Sequence, residues 1–145
     1  MTKEQIRIEI LKCEKQIDKY NLQLNNCDKK MKELDKAYEK IKNKYNEFCQ
    51  KNSVKIGRIA KILTDERDIP MAKDLYNSMK STYLGNDFQR AEQGFVQTME
   101  KIKTKRNDMY DEIDETKARL KQLNERLIYL KHQLAIEVAK EGVQS

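Results

Sequence analysis

The chain has 145 residues, 37% charged and 38% hydrophobic, with a net charge of +6, four glycines, one proline and no tryptophan. So polar a composition at one domain's length cannot fill a thick globular core, and five Gly or Pro positions are far too few for the turns of a sandwich or barrel. No apolar run exceeds four residues, as in Leu127-Ile128-Tyr129-Leu130, so no segment is fit to span a bilayer. The opening Met1-Thr2-Lys3-Glu4-Gln5-Ile6-Arg7 lacks the apolar stretch of a classical signal peptide. The remaining class is all-α, built from long helices with narrow apolar stripes.

In chain order, Thr2 with Gln5 three residues on forms a capping box that opens the first helix. Its apolar positions run Ile6, Ile10, Cys13, Ile17, Tyr20, Leu24, Cys27, Met31, Leu34, Tyr38, Ile41, Tyr45 and Phe48. The steps alternate four and three without exception, which is a coiled-coil seam. A helix over about 3–50 would be roughly 70 Å long and would need a partner to cover that seam. Next, Val54, Ile56, Ile59, Ile62 and Leu63 suggest a short amphipathic helix over about 54–64, ended by the charged Thr64-Asp65-Glu66-Arg67-Asp68. Pro70 suits the first turn of another helix, over about 70–83, with Asp68 or Ile69 as its cap and Met71, Leu75 and Met79 as its apolar face. Leu84-Gly85-Asn86 reads as a turn, with Gly85 supplying a left-handed φ and Asn86 and Gln89 a cap-like pair for the next helix. That last helix, over about 87–141, carries Phe95, Met99, Ile102, Met109, Ile113, Leu120, Leu123, Leu127, Leu130 and Leu134 in the same rhythm. Only Arg106 and Thr116 interrupt it, and Gly142 reads as its stop. The expected fold is therefore all-α: one elongated antiparallel helical hairpin (coiled coil) domain spanning 1–145, with one or two short extra helices near the turn.

Flanking charges help to set register in coiled coils. Lys32, Lys36, Lys40 and Lys44 form a basic stripe; Asp108, Asp111, Glu112, Asp114 and Glu115 form an acidic block. Setting 32–44 against 107–119 brings them together and is preferred to a register that puts the lysines partly against Lys101, Lys103, Lys105 and Arg106. The preferred register pairs the 70–83 helix with 87–100 across Gly85 and leaves 51–69 as a bulge, although a straight continuation of the first helix is the other option.

The chemistry-bearing residues are sparse. Cys13, Cys27 and Cys49 match no zinc or redox spacing and read as structural thiols in the apolar seam. His132 is the single histidine, with no nucleophile in a suitable context, and no phosphate loop or metal motif is present. The expectation is no enzyme, no cofactor and no metal. Net charge by thirds is +4, +1 and +1, with acids interleaved nearly everywhere and lysine outnumbering arginine. That argues against nucleic-acid binding, and the mixed polar faces argue against a membrane-surface role.

The segment Lys80-Ser81-Thr82-Tyr83-Leu84-Gly85-Asn86-Asp87-Phe88-Gln89-Arg90-Ala91 places an aromatic-x-Gly tripeptide between two helices. It resembles the W-x-G turn of the small helical hairpins of type VII secretion. With its long flanking heptads the chain is similar to the YwqH-like family, encoded with LXG-domain toxins. The resemblance covers mainly 70–141. It departs where Tyr83 replaces the usual Trp, where Phe88 precedes Ala91, and in an N-terminal arm of over eighty residues. The resemblance implies a small targeting partner, cytoplasmic before export and leaving without a cleaved signal. It would bind the N-terminal helical domain of an LXG toxin, with a second small helical protein as a further partner, and without membrane insertion. Its turn motif would be Tyr83, Gly85 and Phe88, and its partner-binding residues Leu75, Met79, Phe88 and Val96. Apolar residues outside the seam, Ile8, Leu11, Leu22, Val54, Ile56, Val96 and Ile128, are the candidates for covering a partner's helices. Tyr110 and Asp114 match the family's Tyr-x-x-x-Asp/Glu export signal, as the aromatic-acid pairs Tyr83/Asp87 and Phe88/Glu92 also do. The alternative is a general coiled-coil chaperone or structural scaffold.

Overall fold

The computed structural model describes residues 1–65 and 70–144, excepting the side chains at 62–65, 72, 83, 84 and 144. It contains three helices: α1 (Lys3–Asp65), α2 (Pro70–Leu84) and α3 (Asn86–Gln144). No strand occurs among the described residues. The contacts gather into two compact units, Met1–Lys32 with Arg106–Ser145 and Glu33–Lys105.

The start of α1 follows from the capping box. Gln5 N–H donates to Thr2 Oγ1 at 3.2 Å, and Thr2 N–H donates to Gln5 Oε1 at 2.8 Å. Its end differs from expectation. There is no break near 50, no bulge over 51–65 and no separate helix over 54–64, because α1 runs unbroken through 63 residues. The four-three rhythm in fact continues past Phe48 through Asn52, Lys55 and Ile59. Asn52 is 8% exposed and Ile59 6%. Two polar side chains on the seam hide its continuation from a count of apolar residues. Gly57 alone is too weak to end a helix, at about 1 kcal/mol relative to Ala. Thr64 and Asp65 of the expected charged break belong to α1. The rest of that break, Glu66, Arg67 and Asp68, and the Asp68 or Ile69 cap lie outside the described residues.

In the first unit α1 and α3 run antiparallel. Ile6, Ile10, Cys13 and Leu130 form one buried cluster, flanked by Leu123, Leu127 and Leu134. Cys27, Met31 and Ile113 form another, with Leu24 and Met109 against them. Ion pairs join Lys3 to Glu141 (2.8 Å), Glu9 to Arg126 (3.9 Å) and Glu14 to Lys131 (4.0 Å). Thr116 does not interrupt the packing: it is 3% exposed, and its hydroxyl donates to the Glu112 carbonyl at 2.8 Å. All three cysteines are free thiols, Cys13 and Cys27 buried and Cys49 half-buried.

In the second unit the packing is aromatic. Phe48 stacks on Phe88 with ring centroids 5.1 Å apart and leans on Phe95 at 5.5 Å, while Tyr45 meets Phe95 at 5.6 Å. The Lys103 ammonium lies 5.8 Å from the Tyr38 ring centroid.

These contacts correct the expected register. Gln23 donates to Glu112 at 3.1 Å, so the acidic block lies beside residues in the twenties, and Lys103 stands across from Tyr38. The 32–44 lysines therefore do not face 107–119. Burying the apolar seam outweighs exposed ion pairs of about 0–1 kcal/mol each.

The second half of the chain differs at its punctuation. Gly85 is a single bent residue between α2 and α3, not in the left-handed region, and Gln89 N–H donates to its carbonyl at 3.1 Å. Asn86 is thus the first residue of α3 rather than its cap. Gly142 does not stop the last helix either. It lies inside α3, where an added Cβ would meet nothing within 4 Å.

Candidate partner-docking site

The sequence candidates divide between the two units. Tyr83, Gly85, Phe88, Leu75, Met79 and Val96 belong to the second, Tyr110 and Asp114 to the first. Gly85 is demanded sterically, since a Cβ there would overlap the Ser81 carbonyl oxygen. The Tyr83 side chain lies outside the described residues, as its part in the turn motif therefore does. Phe88 is half-buried and committed to Phe48, so it serves the unit's own packing. Leu75 (45%) and Val96 (42%) are exposed and Met79 is half-buried. Val96 opens on a shallow depression with Glu92, Gln93 and Gln97.

Tyr110 is 53% exposed, and Asp114, one turn on, is also exposed. The two therefore stand on one accessible face of α3. Of the apolar residues outside the seam, Ile8, Leu11, Leu22, Val54, Val96 and Ile128 are exposed, whereas Ile56 is half-buried.

Beside the Phe48–Phe88 stack lies a groove of about 320 Å³ whose walls include Lys51, Asn52, Lys55, Thr82 and Asp87. Leu75 and Met79 do not line it; among the described residues Thr82 is the contribution of α2. Asn52 and Lys55, the seam positions after Phe48, form part of the groove wall. Lys51 and Lys55 also border a second depression of about 400 Å³ with Val54 and Arg58. Charge counted by thirds conceals this region, although the signal is in the sequence: no acid stands between Glu47 and Asp65, while Lys51, Lys55, Arg58 and Lys61 do.

Two titrations are displaced. Burial pushes the Cys27 thiol up, helped by the Glu112 carboxylate, whose charge repels a thiolate and which accepts a hydrogen bond from the thiol. A hydrogen bond with Cys49 raises the Tyr45 phenol, with burial and the charges of Cys49 and Glu92 adding to it. Both groups are held protonated. Among the described residues no group of three or more His, Cys, Asp or Glu is placed to hold a metal, and no helix is long and apolar enough to cross a membrane. His132 is exposed on α3. No protein family, curated protein or solved structure matches the chain.

Proposed function

We propose that this chain is a helical adaptor that binds the N-terminal helical domain of an LXG toxin and promotes its export by type VII secretion. The observation that supports the reading is the set of exposed apolar side chains left over once the seam is packed. Ile8, Leu11 and Leu22 on α1 and Ile128 on α3 lie in the first unit, and Val54, Leu75 and Val96 in the second. Such residues at helical spacing add further helices to a bundle, each side covering the other's apolar surface. The secretion context itself rests on the resemblance around Tyr83-Leu84-Gly85 and Phe88.

The test is co-expression with an LXG-domain protein followed by size exclusion of the purified pair. A stable complex is expected, weakened by Leu75→Asp or Val96→Asp in variants whose circular dichroism is unchanged. A complex indifferent to both removes these residues from the docking surface, and the absence of any complex removes the adaptor role. Tyr110→Ala and Asp114→Ala should leave the complex intact and block export; normal export of both variants rules out the signal.

A further inference from the structure

We infer that the basic ridge on α1 between Lys51 and Arg58 docks an acidic amphipathic helix of a partner protein. Lys51, Lys55 and Arg58 are spaced by four and three, which lines them along one face of α1. All three are exposed, and Val54, 47% exposed, lies among them. The ridge separates two depressions, one beside the stacked Phe48 and Phe88 and the other beside Val54. A ligand lying along it therefore meets cations and apolar surface alternately.

Charge complementarity selects the occupant. The segment from Phe48 to Thr64 contains no carboxylate, and Asp87 is the acid among the described residues lining the first groove. Carboxylates spaced three and four apart on a helix repeat at the ridge's own interval, and apolar residues on the same helix fit against Val54 and the Phe48–Phe88 edge. A nucleic acid would use the cations but gain nothing from Val54. Its bases would find the two Phe rings already stacked on each other at 5.1 Å. An anionic bilayer would engage a basic face backed by a broad apolar one, whereas this ridge has a single exposed valine at its centre.

The experiment uses the full chain and a labelled synthetic peptide of about 18 residues, long enough for several helical turns, with Leu along one face and Glu at its flanks. A scrambled peptide of the same composition, a single-stranded oligonucleotide and phosphatidylcholine vesicles containing phosphatidylglycerol form the other arms. The patterned peptide should bind, and Lys51→Glu/Lys55→Glu/Arg58→Glu should weaken it about tenfold or more, with a matching loss as salt is raised. A peptide with Lys in place of Glu should prefer that variant. If the reversed chain does not fold, Lys51→Gln/Lys55→Gln/Arg58→Gln serves, with about a threefold or larger loss expected. Equal binding of the patterned and scrambled peptides, indifference to the substitutions, or tighter retention of oligonucleotide or vesicles through these three residues overturns the inference. The inference rests on the adaptor reading, yet the two fail separately. A toxin complex indifferent to charge reversal refutes the ridge alone, while charge-dependent peptide binding without any toxin complex refutes the adaptor role alone.

Discussion

Truncating Leu130 tests the seam most directly. Its side chain is 0% exposed and sits among Ile6, Ile10 and Cys13, with Leu123, Leu127 and Leu134 around it. Leu130→Ala removes three carbons, about 2.4 kcal/mol at roughly 0.8 kcal/mol for each. The cavity left behind raises the cost, while the absence of a third helix in the unit lets α1 and α3 settle into part of it, giving about 3 kcal/mol. Neighbouring Ile128, 70% exposed, is the control, since Ile128→Ala at the surface should cost under about 0.5 kcal/mol. Urea unfolding followed by circular dichroism reads both. With a slope of about 1.5 kcal/mol/M the Leu130 variant's midpoint should fall by about 2 M and the Ile128 variant's by less than about 0.4 M. Equal shifts, or a larger one for Ile128, would mean that α3 presents a different face to α1, and the account of the seam would be wrong.

The glycines should split into two classes. Gly57→Ala, Gly94→Ala and Gly142→Ala place a methyl in open space inside helices, so each should raise stability by about 0.5–1 kcal/mol. Gly85→Ala drives its Cβ into the Ser81 carbonyl and should cost about 1–3 kcal/mol, read as a lowered melting temperature; a neutral Gly85→Ala would refute the close approach. Because Cys27 and Tyr45 have pKa values raised in the folded state, their contribution is complete below the unfolded-state values and is lost as pH rises through the folded ones. Stability should therefore fall above about pH 9, and Cys27→Ala should flatten the first part of that fall, with Tyr45→Phe acting at higher pH. An alkaline limb unchanged in both variants would count against the assigned environments.

Much of the fold is readable along the chain. Thirteen seam residues from Ile6 to Phe48 recur at alternating steps of four and three, and no other regular structure would put all of them on one side. The Thr2–Gln5 cap is equally local, because both partners lie within one turn. The candidate docking residues are less legible. Val96 and Ile128 are read as surface from their departure from the seam and Leu75 as part of a short helix's apolar face, whereas Phe88 looks equally free in sequence and is claimed by Phe48, forty residues upstream. The basic ridge is hidden when charge is averaged over the first two thirds, with Lys51 assigned to one and Lys55 and Arg58 to the other.

Helical class, the two seams and the start of α1 are thus properties of the chain itself, since they depend on hydrogen bonds and side-chain spacing within a few turns. The tertiary structure decided three other things: the length of α1, the pairing of Gln23 with Glu112 in place of a lysine-to-acid register, and Gly85 as a one-residue bend outside the left-handed region. Each depends on which residue stands across the interface. Asn52 and Thr116 are polar in sequence but buried in place, and exposed charges are too weakly coupled in water to choose a register that aromatic and aliphatic packing opposes.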